Sequence, residues 1–287
     1  MLQRSLIACD DLDCRTVWRE DGCLQENDWV QDSRSFNRVA GLYDAYRPGY
    51  PRQLVEDILS TANFPEDGRI LEIGSGTGKA TLQFAQQGYA VLCIEPGESM
   101  VEVARRKLQT FPKVDFRITA FEGWENEGEL FDLVISGQAF HWIQPEFRYR
   151  KTRQALKETG SLAIFWNWNL PVADRLTERL EGVYEQYAPE LAQEEPESHE
   201  EIIQKWVREI DESHYFNPVV VQRYRWEKEY PTREYLGLLN THSDHLRLTD
   251  ERRQRLFAAL EDVLEAEGGK INKIFESVAF IAQKHKV

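Results

Sequence analysis

From residue 69 the chain alternates short apolar runs with amphipathic stretches. The runs are "RILEI" at 69–73, "AVLCIE" at 90–95, "VDFRIT" at 114–119, "FDLVIS" at 131–136 and "GSLAIFWNW" at 160–168. Nearly continuous apolar runs of this length suit strands covered on both faces. Helical stretches at 78–87, 98–109 and 146–158 separate them, and this order predicts an α/β, Rossmann-like, mostly parallel sheet flanked by helices. Ahead of the block, the aromatic-rich segment from Ser35 predicts a helix stopped by Pro48 and Pro51. "RQLVEDILSTAN" predicts a second, with Leu54, Ile58 and Leu59 on one face.

After Trp168 the alternation lapses. Residues 170–214 read as helical and acidic, and the glutamate-rich "PELAQEEPESHEE" suits a solvated helix face. We expect a helical lid inserted over 169–216. Strands at 217–230 and 271–285 bring the total to seven, around helices at 232–239 and 249–266, with Gly268 and Gly269 turning into the last strand. The expected layout is an extension at 1–32 without sustained periodicity, then one domain over 33–287 that starts with a helical cover at 33–60.

Composition narrows the partners. The 287 residues are 41% hydrophobic and 29% charged, as in ordinary soluble domains, and the net charge is −14. That charge opposes a surface built on phosphate neutralisation, so a nucleic-acid partner is not expected. No apolar run is long enough to span a membrane, and "DDLD" stands where a signal sequence would be apolar. Cys9, Cys14, Cys23 and Cys93 form no recognised zinc spacing and no disulfide framework, which points to free thiols, no metal and a cytoplasmic setting.

The chemistry gathers at "ILEIGSGTGKATL", residues 70–82. Gly74, Gly76 and Gly78 turn the chain from a strand into a helix, the place where bare backbone admits a nucleotide. The dinucleotide fingerprint would need glycine where Lys79 stands, and a phosphate-binding P-loop would need Ser or Thr where Ala80 stands. Glu95, at the tip of the second strand, is placed to accept hydrogen bonds from a ribose diol. Glu72 can offset a ligand's positive charge, and Met100 can cover a flat base. A ligand with a ribose, an adenine-like base and a cationic end fits this set.

These residues, with "FDLVISGQAFHWI", resemble the class I S-adenosylmethionine-dependent methyltransferases. "YDAYRPGYP", "FEGW" and "AFHW" are similar, more narrowly, to the small-molecule methyltransferase-domain (type 11) group related to trans-aconitate methyltransferases. The resemblance is strong from Phe36 to Trp168 and looser beyond. It implies S-adenosylmethionine as cofactor, with Gly74, Ser75, Gly76 and Gly78 around its methionine part, Glu95 on the ribose and Met100 on the adenine. It further implies Phe121 and Glu122 at the adenine edge, and Tyr43 and Arg47 covering the cofactor. Thr119 and Ala120 depart from the pattern, since relatives often carry an acid there, and Glu122 is the expected substitute.

The turn after the fourth strand, "SGQAFHW", should face the reactive methyl group. It lacks the Asn-Pro-Pro-aromatic sequence common in enzymes that methylate base or amide nitrogens. A small-molecule acceptor methylated at a carboxylate or hydroxyl oxygen is therefore expected. His141 is the expected base for a hydroxyl, and Trp142, Asn167 and His242 the expected substrate contacts. Two other readings stay open on sequence: a non-catalytic S-adenosylmethionine-binding protein, and an NAD(P)-dependent oxidoreductase. Oligomeric state is not legible.

Overall fold

The computed structural model describes residues 37–192 and 198–286. The expected extension at 1–32, with Cys9, Cys14 and Cys23, lies outside the described residues, as does Phe36. A cover of two helices, α1 (Ala40–Tyr46) and α2 (Arg52–Thr61), leads into β1 (Arg69–Ile73), α3 (Lys79–Ala85), β2 (Ala90–Glu95), α4 (Glu98–Leu108) and β3 (Val114–Ile118). Then come β4 (Phe131–Gly137), a 3-10 turn (Phe140–Trp142), α5 (Pro145–Ala155) and β5 (Leu156–Leu170). The remainder is α6 (Arg175–Tyr187), α7 (Pro189–Ala192), α8 (His199–Glu212), β6 (Val220–Pro231), α9 (Thr232–Leu239), α10 (Ser243–Arg247), α11 (Asp250–Ala266) and β7 (Lys270–Gln283). The seven strands form one sheet in the order β3-β2-β1-β4-β5-β7-β6, with β7 antiparallel to both neighbours and the first five parallel.

Strand parity sorts the core. Leu71, Ile73, Leu92, Ile94, Leu162, Ile164 and Trp166 point to one face, where α5 and α8 pack. Ile70, Val91, Cys93, Leu133, Ile135, Ala163 and Phe165 point to the other, beneath α2, α3 and α4. Burial on both faces is why these strands read as unbroken apolar runs instead of alternating ones. A third cluster joins α6, α9 and α11 to the ends of β6 and β7 through Leu180, Tyr184, Leu238, Leu260, Tyr230 and Phe275.

Two expectations need correction. The predicted helix 146–158 ends at Ala155, because buried Leu156 pairs with Phe131 and starts β5 four residues early, before an irregular step back into register at Ser161. The expected lid over 169–216 is divided: β5 continues to Leu170, and α8 is a core helix. Its Ser198/Glu201 capping box starts a face of Ile202, Ile203, Trp206 and Ile210, which packs on the sheet, with Trp206 stacked on Trp166 at 4.6 Å. Glutamates hid this stripe in the sequence, since they occupy its opposite side. α10, over 243–247, had no counterpart among the expected helices.

Candidate functional site

At the carboxyl ends of β1, β4 and β5 the backbone opens into a cleft lined by the glycine turn, the helical cover and the ends of β4 and β5. The glycine turn makes the opening. Gly74, Gly76 and Gly78 have φ of 69°, 53° and 75°, left-handed conformations that side chains resist. A Cβ on Gly74 would lie 2.3 Å from Ala139 Cβ, and one on Gly78 2.8 Å from Leu108 Cδ1. At Gly76 a Cβ would meet nothing within 4 Å, so the bare Cα faces the cleft.

Glu95 holds this turn. Its Oε2 accepts from Gly76 N and its Oε1 from Gly97 N, both at 2.8 Å, which ties the glycine turn to the start of α4. Burial pushes its carboxyl up, and the two backbone bonds oppose that. Glu95 stands behind the turn and does not itself line the cleft. Met100 is buried beside it, packed near Gly97, and Gly78 caps α3. Glu72, Gly74, Ser75, Gly76, Tyr43 and Arg47 do line the cleft, as do Asn167 and His242.

The helical cover is fastened by long-range bonds. Arg47 is buried and donates from Nε to Thr241 Oγ1 at 2.8 Å and from Nη2 to Thr241 O at 2.9 Å, clamping the end of α1 to the α9–α10 turn. Asn167 donates to Gly49 O at 2.9 Å and accepts from Ser277 Oγ at 2.5 Å, so its amide joins cover, β5 and β7. Asp44 receives the Lys107 ammonium on its carboxylate and the Lys79 ammonium on its carbonyl, the latter at 2.7 Å.

Four expected residues sit away from the cleft. Phe121 is buried and stacked on Trp124 at 5.9 Å, in the main core. Glu122 accepts from Gln144 N at 2.9 Å and so caps α5, while its carbonyl takes Lys151. His141 is buried in the 3-10 turn, where Trp166 Nε1 donates to its Nδ1 at 3.3 Å. The lone pair on Nδ1 is thereby engaged and, in the neutral ring, the proton sits on Nε2. Trp142 stands beside it with ring centroids 4.8 Å apart, also off the cleft. Arg148, 1% exposed, binds this turn from α5: it donates to His141 O and Ile143 O, pairs with Glu209 of α8, and lies over the Phe140 and Trp206 rings.

Several cleft residues escaped the sequence reading. Lys79, seen only as a break in a fingerprint, brings its amine to the wall, where burial and then Lys107 push it down to about 8. Gln138 has φ 58°, and its side-chain amide accepts from Asn167 N at 3.1 Å, continuing the β4–β5 ladder past the point where the backbone leaves it. Its position directly after an apolar strand was the available signal. Asn169 and Thr77 complete the polar wall. His242 is kept neutral, held well below its usual value by burial first and by Arg47 next. His242, Asp244 and His245 bring ligand-type atoms within 4.8 Å of one another. His245, however, spends Nδ1 on Asp244 at 2.6 Å and Nε2 on the Tyr184 hydroxyl at 2.9 Å, which makes the group a hydrogen-bonded chain.

No helix among the described residues is long and apolar enough to cross a membrane. A family profile described as "Methyltransferase domain" matches residues 70–160. An uncharacterized methyltransferase-like protein of Schizosaccharomyces pombe is 26% identical over 262 residues, 88% of this chain and 96% of that one. An uncharacterized methyltransferase of Mycobacterium bovis is 30% identical over 135 residues, 47% of this chain and 53% of its own length. Among solved structures, phosphoethanolamine N-methyltransferase 2 of Haemonchus contortus, in complex with phosphomonomethylethanolamine and S-adenosylhomocysteine, superposes with TM-score 0.52 and 16% identity. The superposition covers 92% of this chain and 61% of that one. The oxidoreductase alternative finds no support in these matches. The sheet order, the glycine turn and these relatives together support an S-adenosylmethionine-dependent methyltransferase of the class I fold, with the match to the methyltransferase-domain family at residues 70–160.

Proposed function

We propose that the protein transfers the methyl group of S-adenosylmethionine to a carboxylate or hydroxyl oxygen of a small-molecule acceptor. The observation that carries this reading is the polarity of the cleft wall. In a chain of net charge −14, the cationic side chains of Arg47 and Lys79 line the cleft beside the amides of Gln138, Asn167 and Asn169. Such a wall favours an acceptor with an anionic or hydroxylated oxygen. A cytoplasmic setting accords with the buried free thiol of Cys93.

The cofactor fits the residues present. Thr77 Oγ1 is buried with no hydrogen-bond partner among the described residues, and Ser75 Oγ has only the Cys93 thiol in reach. Buried polar atoms of this kind need a ligand or water to complete them. Gly74, Ser75 and Gly76 would hold the methionine part, Glu95 the ribose hydroxyls, and Met100 the adenine face. Bound there, the cofactor supplies an activated methyl group on a sulfonium. The chain's own contribution is to align the acceptor oxygen, exclude water, and keep the Arg47 clamp shut over the site.

Glu95→Gln tests the ribose assignment. It removes the charge from two hydrogen bonds and turns one acceptor into a donor facing Gly76 N or Gly97 N. Affinity for S-adenosylmethionine, followed by calorimetry, is expected to weaken by about 10- to 100-fold. An unchanged affinity would remove Glu95 from the ribose contact. His141→Ala is expected to leave the shape of the kcat/KM pH profile unaltered, because the buried ring is an anchor for the β4 turn; loss of the low-pH limb would restore it as the base. The acceptor itself is sought by incubating the protein with methyl-labelled cofactor and a metabolite extract. The expected product carries label in an ester or methyl ether, and label on nitrogen alone would refute oxygen transfer.

A further inference from the structure

Glu72 is a carboxylic acid buried among groups that give its charge little support. It lies on β1 at 2% exposure, with the same parity as Ile70, and it lines the cleft. From α3, Thr81 Oγ1 donates to its Oε2 at 2.6 Å. From β2 it faces Cys93, whose thiol burial holds protonated, and the like charge of Glu95. Its register partner on β4 is Ile135, and the nearby Ser136 hydroxyl donates to Ile73 O. On the cleft side stand Lys79, Arg47 and His242. The Lys79 ammonium donates to Asp44 O, the Arg47 guanidinium is held by Thr241, and His242 is neutral. Among the described residues Glu72 makes no ion pair. Burial pushes its carboxyl up to about 8, Glu95 adding to the rise and Thr81 opposing it, so that at neutral pH it carries a proton.

That neutral carboxyl stands in the wall of a cleft whose cofactor carries an ammonium and a sulfonium. Resting on the cofactor assignment above, we propose that Glu72 gives up its proton as the cationic end of S-adenosylmethionine enters, so that cofactor capture releases a proton and Glu72 selects for a charged ligand. The carboxyl O–H bond breaks, its electron pair stays on oxygen, and the proton passes to solvent. The resulting carboxylate then faces the ligand's positive charge, which replaces the solvation that burial removed. In the empty cleft the proton spares the protein two buried like charges, on Glu72 and Glu95. Uncharged mimics of the cofactor's end provide nothing to hold the carboxylate, and they should cause no release.

Lys79 works in the opposite direction, because an anionic ligand group near its amine would favour proton uptake. The two are separable by pH. With Glu72 pushed up and Lys79 pushed down to about 8, at pH 7 Glu72 is mostly protonated and Lys79 already mostly charged, so release from Glu72 outweighs uptake by Lys79. Lower pH should weaken binding by up to about tenfold per unit below 7, because the proton must be removed against a rising concentration.

The test is calorimetric titration of the full chain with S-adenosylmethionine at pH 7 in phosphate, Hepes and Tris, whose heats of ionisation differ. The apparent enthalpy should change with the buffer heat at the slope of net proton release, and Glu72→Gln should bind with that slope abolished. As a second reading on the unaltered protein, infrared difference spectra should lose a protonated-carboxyl band when the cofactor is added. Saturable binding with the same heat in every buffer, or full release in Glu72→Gln, would overturn the proposal. Absence of saturable cofactor binding in every buffer would instead overturn the cofactor assignment, and this proposal with it.

Discussion

Gly74→Ala should lower the unfolding free energy by about 2–5 kcal/mol and abolish methyl transfer. Two costs add. The residue has φ 69°, and a side chain in that left-handed region costs about 1–2 kcal/mol. The new Cβ would also lie 2.3 Å from Ala139 Cβ, an overlap of the kind that costs about 1–3 kcal/mol in a packed region. Relief would move either the tip of β1 or the turn after β4, and both form walls of the cleft. Urea unfolding measures the stability loss. The double variant Gly74→Ala/Ala139→Gly should recover the contact part and leave the backbone part, because only one of the two terms involves Ala139. Recovery of nothing would show that the contact is not the cause. Gly76→Ala, with open space around its Cβ, should cost only the backbone part and act chiefly on cofactor affinity.

Arg148→Met is the second large effect, an expected destabilisation of about 3–5 kcal/mol from removing one partner of a buried ion pair. The guanidinium is nearly inaccessible, bonded to Glu209 and to the carbonyls of His141 and Ile143, and sandwiched near two aromatic rings. Methionine fills much of the stem's volume, but the Glu209 charge and the two carbonyls then lack their donor. Because the carbonyls belong to the turn after β4, activity should fall along with the unfolding midpoint. The additional change Glu209→Gln should recover part of the stability by removing the stranded charge. Equal stability of Arg148→Met and the parent would mean that solvent already screens Glu209.

Much of the frame was legible because its causes are local. Apolar runs covered on both faces announced parallel strands, and glycines that need left-handed backbone announced the turn at 74–78. Glu95 could be placed from its distance behind that turn, since strand, turn and strand repeat at a nearly constant interval. Less of the site was readable. His141 looked like a base because it follows the tip of β4, yet the chain curls into a 3-10 turn there and presents the ring to Trp166. Phe121 and Glu122 follow β3 as expected but are taken by the core and by the cap of α5. α8 read as part of a lid because its charged side dominates the composition, whereas four apolar residues at helical spacing decide where it packs.

By itself the sequence determined the strand and helix succession, the glycine turn and the acidic tips of β1 and β2, since each depends on residues a few positions apart. Only the tertiary structure decided which polar groups meet in the cleft. Arg47 reaches Thr241 across 194 positions, and Asn167 reaches Gly49 across 118. Those closures bring Lys79, Gln138 and His242 to one wall and turn His141 away from it. No local pattern encodes such meetings, because they follow from the packing of whole helices on the sheet.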